Sequence, residues 1–158
     1  MRDKSFSRSV IGATRLCSYV KESEIIESVV SLLRSVGFIV MRNVEVGGVE
    51  VDVLAIELVP PRPMIYVVEA KRRPKRKLIK QLERRSRFAD YVYAAVPLYM
   101  YAWAVSRIDP LYGIMVFHRG EVRVLRMARY IGNGVNLLRE LLGNEFADLD
   151  VGAERLST

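Results

Sequence analysis

The chain has 158 residues, 51% hydrophobic and 27% charged, the proportions of one globular domain that can bury about 70% of its unfolded surface. A single cysteine, Cys17, and a single histidine, His118, exclude a disulfide framework, a cysteine- or histidine-rich metal site and a histidine-based triad. The formal net charge is +7, which favours an anionic partner.

Met1 to Val20 lacks the unbroken apolar core of a signal peptide. The longest apolar stretch, Tyr91 to Val105, is broken by Pro97 and is shorter than the ~20 residues a bilayer span needs. The expectation is a soluble, cytoplasmic protein with no membrane partner.

In chain order, Ser23 reads as an N-cap, with Glu24 placed where the helix dipole favours an acid. Ile25, Ile26, Val29, Val30, Leu32, Leu33 and Val36 repeat at helical spacing until Gly37 stops the helix. Phe38 to Val46 and Val49 to Glu57 read as strands joined by a Gly47-Gly48 hairpin turn. After a stiff stretch holding Pro60, Pro61 and Pro63, Met64 to Lys71 reads as a third strand, apolar enough to be central. Pro74 suits a helix start, and Lys75 to Phe88 reads as a basic helix held by Leu78, Ile79, Leu82 and Phe88. Tyr91 to Val96 is a fourth strand, and Leu98 to Ser106 a short helix. Ile114 to Phe117 and Val122 to Leu125 form a hairpin around Arg119-Gly120. Val135 to Leu142 is a last helix, and the tail from Asn144 is small and acidic. The order α-β-β-β-α-β-α-β-β-α predicts one α/β domain, a mixed sheet with helices packed on it.

The charge is concentrated. From Lys71 to Arg87 the chain carries ten basic residues and one acid, whereas the remainder carries 15 basic and 17 acidic residues. All the positive excess therefore lies in one short stripe, the footprint of a polyanion-binding surface. By itself such a run also describes an ordinary solvated helix face.

Two strands add chemistry. Alternation in Val49-Glu50-Val51-Asp52-Val53 puts Glu50 and Asp52 on one face and the valines on the other. In Val67-Val68-Glu69-Ala70-Lys71 it puts Glu69 and Lys71 together at the end of an apolar run. Asp52 and Glu69 then stand on neighbouring strands, where their repulsion favours a hard divalent cation. Lys71 beside them suits water orientation or phosphate charge.

Asp52, followed 17 positions later by Glu69-Ala70-Lys71 on the next strand, resembles the PD-(D/E)XK nuclease superfamily, which has the restriction-endonuclease-like fold. The match spans Ser23 to Pro97 and looks closest to its small resolvase-like and RecB-like branches. Val51 stands where that family often has proline. The resemblance implies a Mg²⁺- or Mn²⁺-dependent nuclease, with Asp52, Glu69 and the Ala70 backbone carbonyl as metal ligands and Lys71 catalytic. It also implies a glutamate from the first helix, for which Glu27 is preferred over Glu24 on the helical wheel. Gln81, the only glutamine, suits a supporting role on the helix after Glu-x-Lys. The basic helix would then meet phosphates through Lys75, Arg76, Lys77, Lys80, Arg84, Arg85 and Arg87, with Arg72 and Arg73 nearer the metal. The expected partner is DNA, with RNA open and a homodimer as the expected assembly. The alternatives are a non-catalytic nucleic-acid-binding subunit of the same fold and a structural or protein-binding domain. Tyr91, Tyr93, Tyr99, Tyr101 and Trp103 read as core, and His118 as an exposed polar residue.

Overall fold

A computed structural model describes residues 20–142; Cys17 and the tail from Asn144 lie outside the described residues. Helix α1 (Glu22–Ser35) leads into strands β1 (Ile39–Val46), β2 (Val49–Glu57) and β3 (Met64–Ala70). Helix α2 (Arg76–Arg85) connects β3 to β4 (Tyr91–Pro97). A 3₁₀ turn (Leu98–Met100) and helix α3 (Tyr101–Arg107) lead to β5 (Gly113–His118), β6 (Glu121–Arg126) and helix α4 (Gly134–Leu142).

The six strands form one open mixed sheet in sequential order. Strands β1, β2 and β3 are an antiparallel meander; β3, β4 and β5 run parallel, and β6 returns antiparallel. The parallel strands need helical crossovers, which α2 and α3 supply. As a result β3, β4 and β5 all end at one sheet edge. Their side chains are almost wholly buried, because helices cover both faces. On one face α1 packs Ile25, Val29 and Leu33 against Val53, Val68 and Met115. On the other, Leu78 and Leu82 of α2 and Leu137 of α4 meet Leu54, Val67 and Val92. Helix α2 is charged along most of its surface, so Leu78 and Leu82, both 0% exposed, anchor it, each worth roughly 1.5–3 kcal/mol.

At the opposite edge a buried carboxylate ties four segments together. Asp90 accepts bonds from both terminal nitrogens of Arg62 (2.9 and 2.7 Å), from Ile65 N (2.8 Å) and from Gly134 N (3.1 Å). Its charge is met by Arg62, and it also caps the start of α4.

Three expectations need correction. Helix α1 starts at Glu22 with Lys21 at the cap position and no side-chain cap. Starting there puts both Glu22 and Glu24 in the first turn against the dipole, so Ser23 is helical rather than a cap. Tyr99 and Tyr101 are exposed, at 48% and 37%, because they sit on the outer side of the 3₁₀ turn and α3; Tyr93 is core and Tyr91 half-buried.

The third correction is the alternation in β2. Val53 and Ala55 face α1, and Leu54 faces α2. Val51 lies with Leu54 rather than with Val53. Strand β1 slips in the same way: Met41 and Val44 face the α2 side, Val40 the α1 side. The slip falls at Asn43 and Asp52, which the ladder skips. Asn43 has φ 48°, a left-handed conformation that asparagine tolerates better than most residues. Since both strands carry the extra residue at one level, pairing resumes unchanged, Arg42 opposite Val53 and Val44 opposite Val51.

Candidate active site

That break aims Asp52. Pairing of β2 with β3 runs from Glu57–Met64 to Val53–Val68 and ends. One step further the same register would set Asp52 opposite Glu69. Instead β2 peels away, and Asp52 Oδ2 accepts the Ala70 N–H at 2.8 Å. A side-chain oxygen thus replaces the lost strand acceptor, and that bond fixes the carboxylate beside Glu69.

Glu69 is 1% exposed. Its Oε1 accepts Arg85 Nε at 2.5 Å, and Arg85 Nη2 donates to the Glu50 carbonyl at 2.9 Å. Arg85, 3% exposed, therefore bridges the end of α2 to β2. The Glu69 carboxyl is still pushed up to about 7. Burial is the main cause and the Asp52 charge the second; the Arg85 guanidinium opposes both without cancelling them.

Above this pair a cleft of about 600 Å³ opens between the first half of β2 and α2. Glu50 and Asp52 form one wall, and Arg76, Lys77, Lys80 and Arg84 the other. Gln81 also lines it, and its Oε1 is buried with no hydrogen-bond partner among the described residues. A buried amide oxygen left unpaired costs roughly 1–3 kcal/mol, a cost that a donor arriving in the cleft would remove.

Lys71 extends the strand: its N–H donates to Ala95 O at 3.0 Å, and its Nζ lies 3.9 Å from Glu22 Oε2 of α1. Arg72 is half-buried, its carbonyl held by the Tyr99 hydroxyl at 2.5 Å. Arg73, Lys75, Arg76, Lys77, Lys80, Arg84 and Arg87 are exposed, as a phosphate-contacting surface requires.

The structure therefore sets Asp52 beside Glu69 and lines the cleft over Asp52 with Gln81 and the basic helix, whereas the Lys71 ammonium is turned to Glu22 of α1. Glu27 is not brought there: it is exposed and pairs with Arg42 of β1, because it falls outside the buried stripe of Ile25, Ile26, Val29, Val30 and Leu33. Nor is Arg85 a surface phosphate contact; Glu69 holds it inside. The inward placement of Arg85 against Glu69 and the pairing of Lys71 with Glu22 both had a signal in the sequence. Arg85 follows Leu78 and Leu82 at helical spacing, so it lies on the buried stripe, where a cation needs a partner. Glu22 precedes Ile25, Ile26 and Val29 by three, four and seven positions and shares their face.

No family model matches the chain, and no curated protein matches it. Among solved structures the chain is similar to a protein of unknown function from Silicibacter pomeroyi, with a TM-score of 0.52 and 20% identity over 80% of this chain and 86% of that one. The likeness shows the fold, an α/β mixed sheet flanked by helices, and no more.

Among the described residues no group of three or more histidine, cysteine, aspartate or glutamate side chains is placed to hold a metal ion. The two carboxylates still fit a hard divalent cation by type, since both offer hard oxygen donors. Any such ion would complete its shell with backbone oxygen and water. Among the described residues no helix is long and apolar enough to cross a membrane.

Proposed function

We propose that the protein is a metal-dependent nuclease of the restriction-endonuclease-like class that hydrolyses phosphodiester bonds in DNA. One observation carries the reading: Asp52 and Glu69, from adjacent strands, meet beside a cleft whose other wall is the basic helix α2. The order α1-β1-β2-β3-α2-β4, with Glu69 and Lys71 at the end of β3, supports it.

In this reading the exposed cations of α2 seat phosphates on either side of the scissile one. Such contacts fix position without reading sequence. Asp52 and Glu69, with the Ala70 carbonyl, would hold Mg²⁺ or Mn²⁺. The ion would supply polarisation of the phosphate and a water of lowered pKa. Asp52 is set by the Ala70 N–H and Glu69 by Arg85, so the two carboxylates keep their relative orientation. Lys71, tethered near Glu22, offers its ammonium to charge developing on the phosphate. Gln81 accepts a hydrogen bond from water or substrate in the cleft. Hydrolysis proceeds in one step, with no covalent enzyme intermediate.

The test is cleavage of labelled single strand, duplex, flap and four-way junction with Mg²⁺, Mn²⁺ or chelator. The expected result is metal-dependent cutting that falls roughly 100-fold or more in Asp52→Ala and Lys71→Ala. Cutting that persists in both variants or in chelator refutes the site.

The Arg85–Glu69 pair favours a second reading. A carboxylate that already has a cation has less need of a metal. That reading is a nucleic-acid-binding subunit of the same fold, which would bind DNA unchanged in Asp52→Ala and cut nothing in either metal.

A further inference from the structure

A second cavity, of about 360 Å³, opens at the sheet edge where the parallel strands end. Leu98, Val116 and Leu125 give it an apolar floor, and His118, Arg119 and Arg123 a basic rim. Leu98 and Leu125 are 43% and 48% exposed, so the floor faces solvent. The volume lies at the small end of ligand sites, suited to one base rather than to a peptide segment. Glu121 is the acid on this rim; it stands 3.7 Å from Arg123 Nη2 with both side chains highly exposed, a pair worth little in water.

Its place in the sheet ties it to the candidate active site. Ala70, Ala95 and Met115 stand level across β3, β4 and β5. Val116 is therefore level with Lys71, two strand spacings or about 10 Å away. Between them Leu98 lines the cavity, and its neighbour Tyr99 holds the Arg72 carbonyl.

Arg119 adds an independent observation. It sits at φ 50°, with Gly120 at φ 77°, in the β5–β6 turn. Such a turn ordinarily takes asparagine or glycine first, and a left-handed arginine is strained by its Cβ. Strain of this kind concentrates where a side chain is required, and here it presents a guanidinium at the mouth of an apolar cavity.

We infer that this cavity is a nucleotide subsite that takes one unstacked base of a single strand running past Lys71, Arg72 and Arg73 to the α2 cleft. The base lies on Leu98, Val116 and Leu125, and Arg119 and Arg123 meet its phosphate. A paired base in a duplex is stacked on both faces and does not enter. The inference rests on the nuclease reading for its polymer and adds the form of the substrate: an unpaired nucleotide beside the scissile bond.

The test is fluorescence anisotropy of the full chain with an oligonucleotide of about 15 residues, single-stranded or as its duplex, in chelator so that cutting does not intervene. The variants are Arg119→Gly, which relaxes the turn and so does not act by unfolding, and Leu125→Glu, at an exposed position. Arg119→Gly removes one charged phosphate contact and Leu125→Glu removes part of the apolar floor under the base, so each variant is expected to lower the ratio of single-strand to duplex affinity roughly fivefold or more. A ratio equal to that of the unaltered chain in both variants overturns the subsite and leaves the nuclease reading standing. Binding of neither probe at low salt overturns both. Discrimination that depends on Arg119 and Leu125 in a protein that cuts nothing with Mg²⁺ or Mn²⁺ upholds the subsite and removes the nuclease reading.

Discussion

Replacing Arg85 by methionine keeps most of the buried stem and removes the guanidinium that faces Glu69. What remains is a carboxylate 1% exposed with the Asp52 charge beside it and no counter-ion in contact. Removing one partner of a buried pair costs about 3–5 kcal/mol. The unfolding entropy of a domain with about 120 packed residues is roughly 0.25 kcal/mol/K, which makes the expected fall in Tm about 12–20 °C. The loss depends on pH. A carboxyl whose folded pKa is raised holds its proton more tightly folded than unfolded. Its contribution is complete below the ordinary value of 4.5 and is lost as the pH rises through about 7. Without Arg85 the Glu69 value moves higher still. At about pH 5 Glu69 is neutral in both proteins, whereas at about pH 8 it ionises in the unaltered chain and resists ionisation in the variant, so the deficit is smaller at the lower pH by about 1 kcal/mol. Thermal unfolding followed by circular dichroism in chelator, at about pH 5 and about pH 8 and equal ionic strength, reads both numbers. A fall below about 3 °C at the higher pH, or the same fall at both, would refute the electrostatic account of this pair.

Three further outcomes follow from the same geometry. Asp52→Asn keeps an oxygen for the Ala70 N–H and removes the charge facing Glu69, so Glu69 titrates below about 7; the stability lost between about pH 5 and 7 shrinks, as denaturant titrations at stepped pH will show. Lys80→Ala combined with Arg84→Ala removes two phosphate contacts, so the slope of log affinity for duplex DNA against log salt falls by about 2, measured by anisotropy from roughly 50 to 200 mM salt. Gly134→Ala sets a Cβ at 2.1 Å from Asp90 Oδ2; moving Asp90 off Arg62 and Ile65 N costs roughly 2–4 kcal/mol, which urea unfolding will report.

Local pattern made most of the fold legible. The Gly47-Gly48 pair, both at positive φ, marked the first hairpin, and β-branched runs marked β2 and β3 to within a residue. The meeting of Asp52 with Glu69 was legible from their spacing on consecutive strands. The break in β2 was not, because it depends on Asn43 in the partner strand and on a carboxylate finding a backbone N–H 18 positions away. Glu27 was misplaced because it lies just outside the buried stripe of Ile25, Ile26, Val29, Val30 and Leu33, where it pairs with Arg42 of β1. Arg85 was hidden inside a run of cations, where its position on the Leu78–Leu82 stripe carried the information and its charge concealed it.

The left-handed Asn43 also shapes how the molecule meets its neighbours. Strand β1 lies at the rim of an open sheet, and a straight rim strand is a template for another chain's backbone. The slip at Asn43 cuts that rim into two short runs set out of line, with Arg42 and Glu45 exposed beside the step. A foreign strand that pairs with one run is misaligned for the other. The irregularity that aims Asp52 therefore also works against edge-to-edge aggregation, and a regularised β1 would gain smoother pairing at the expense of solubility.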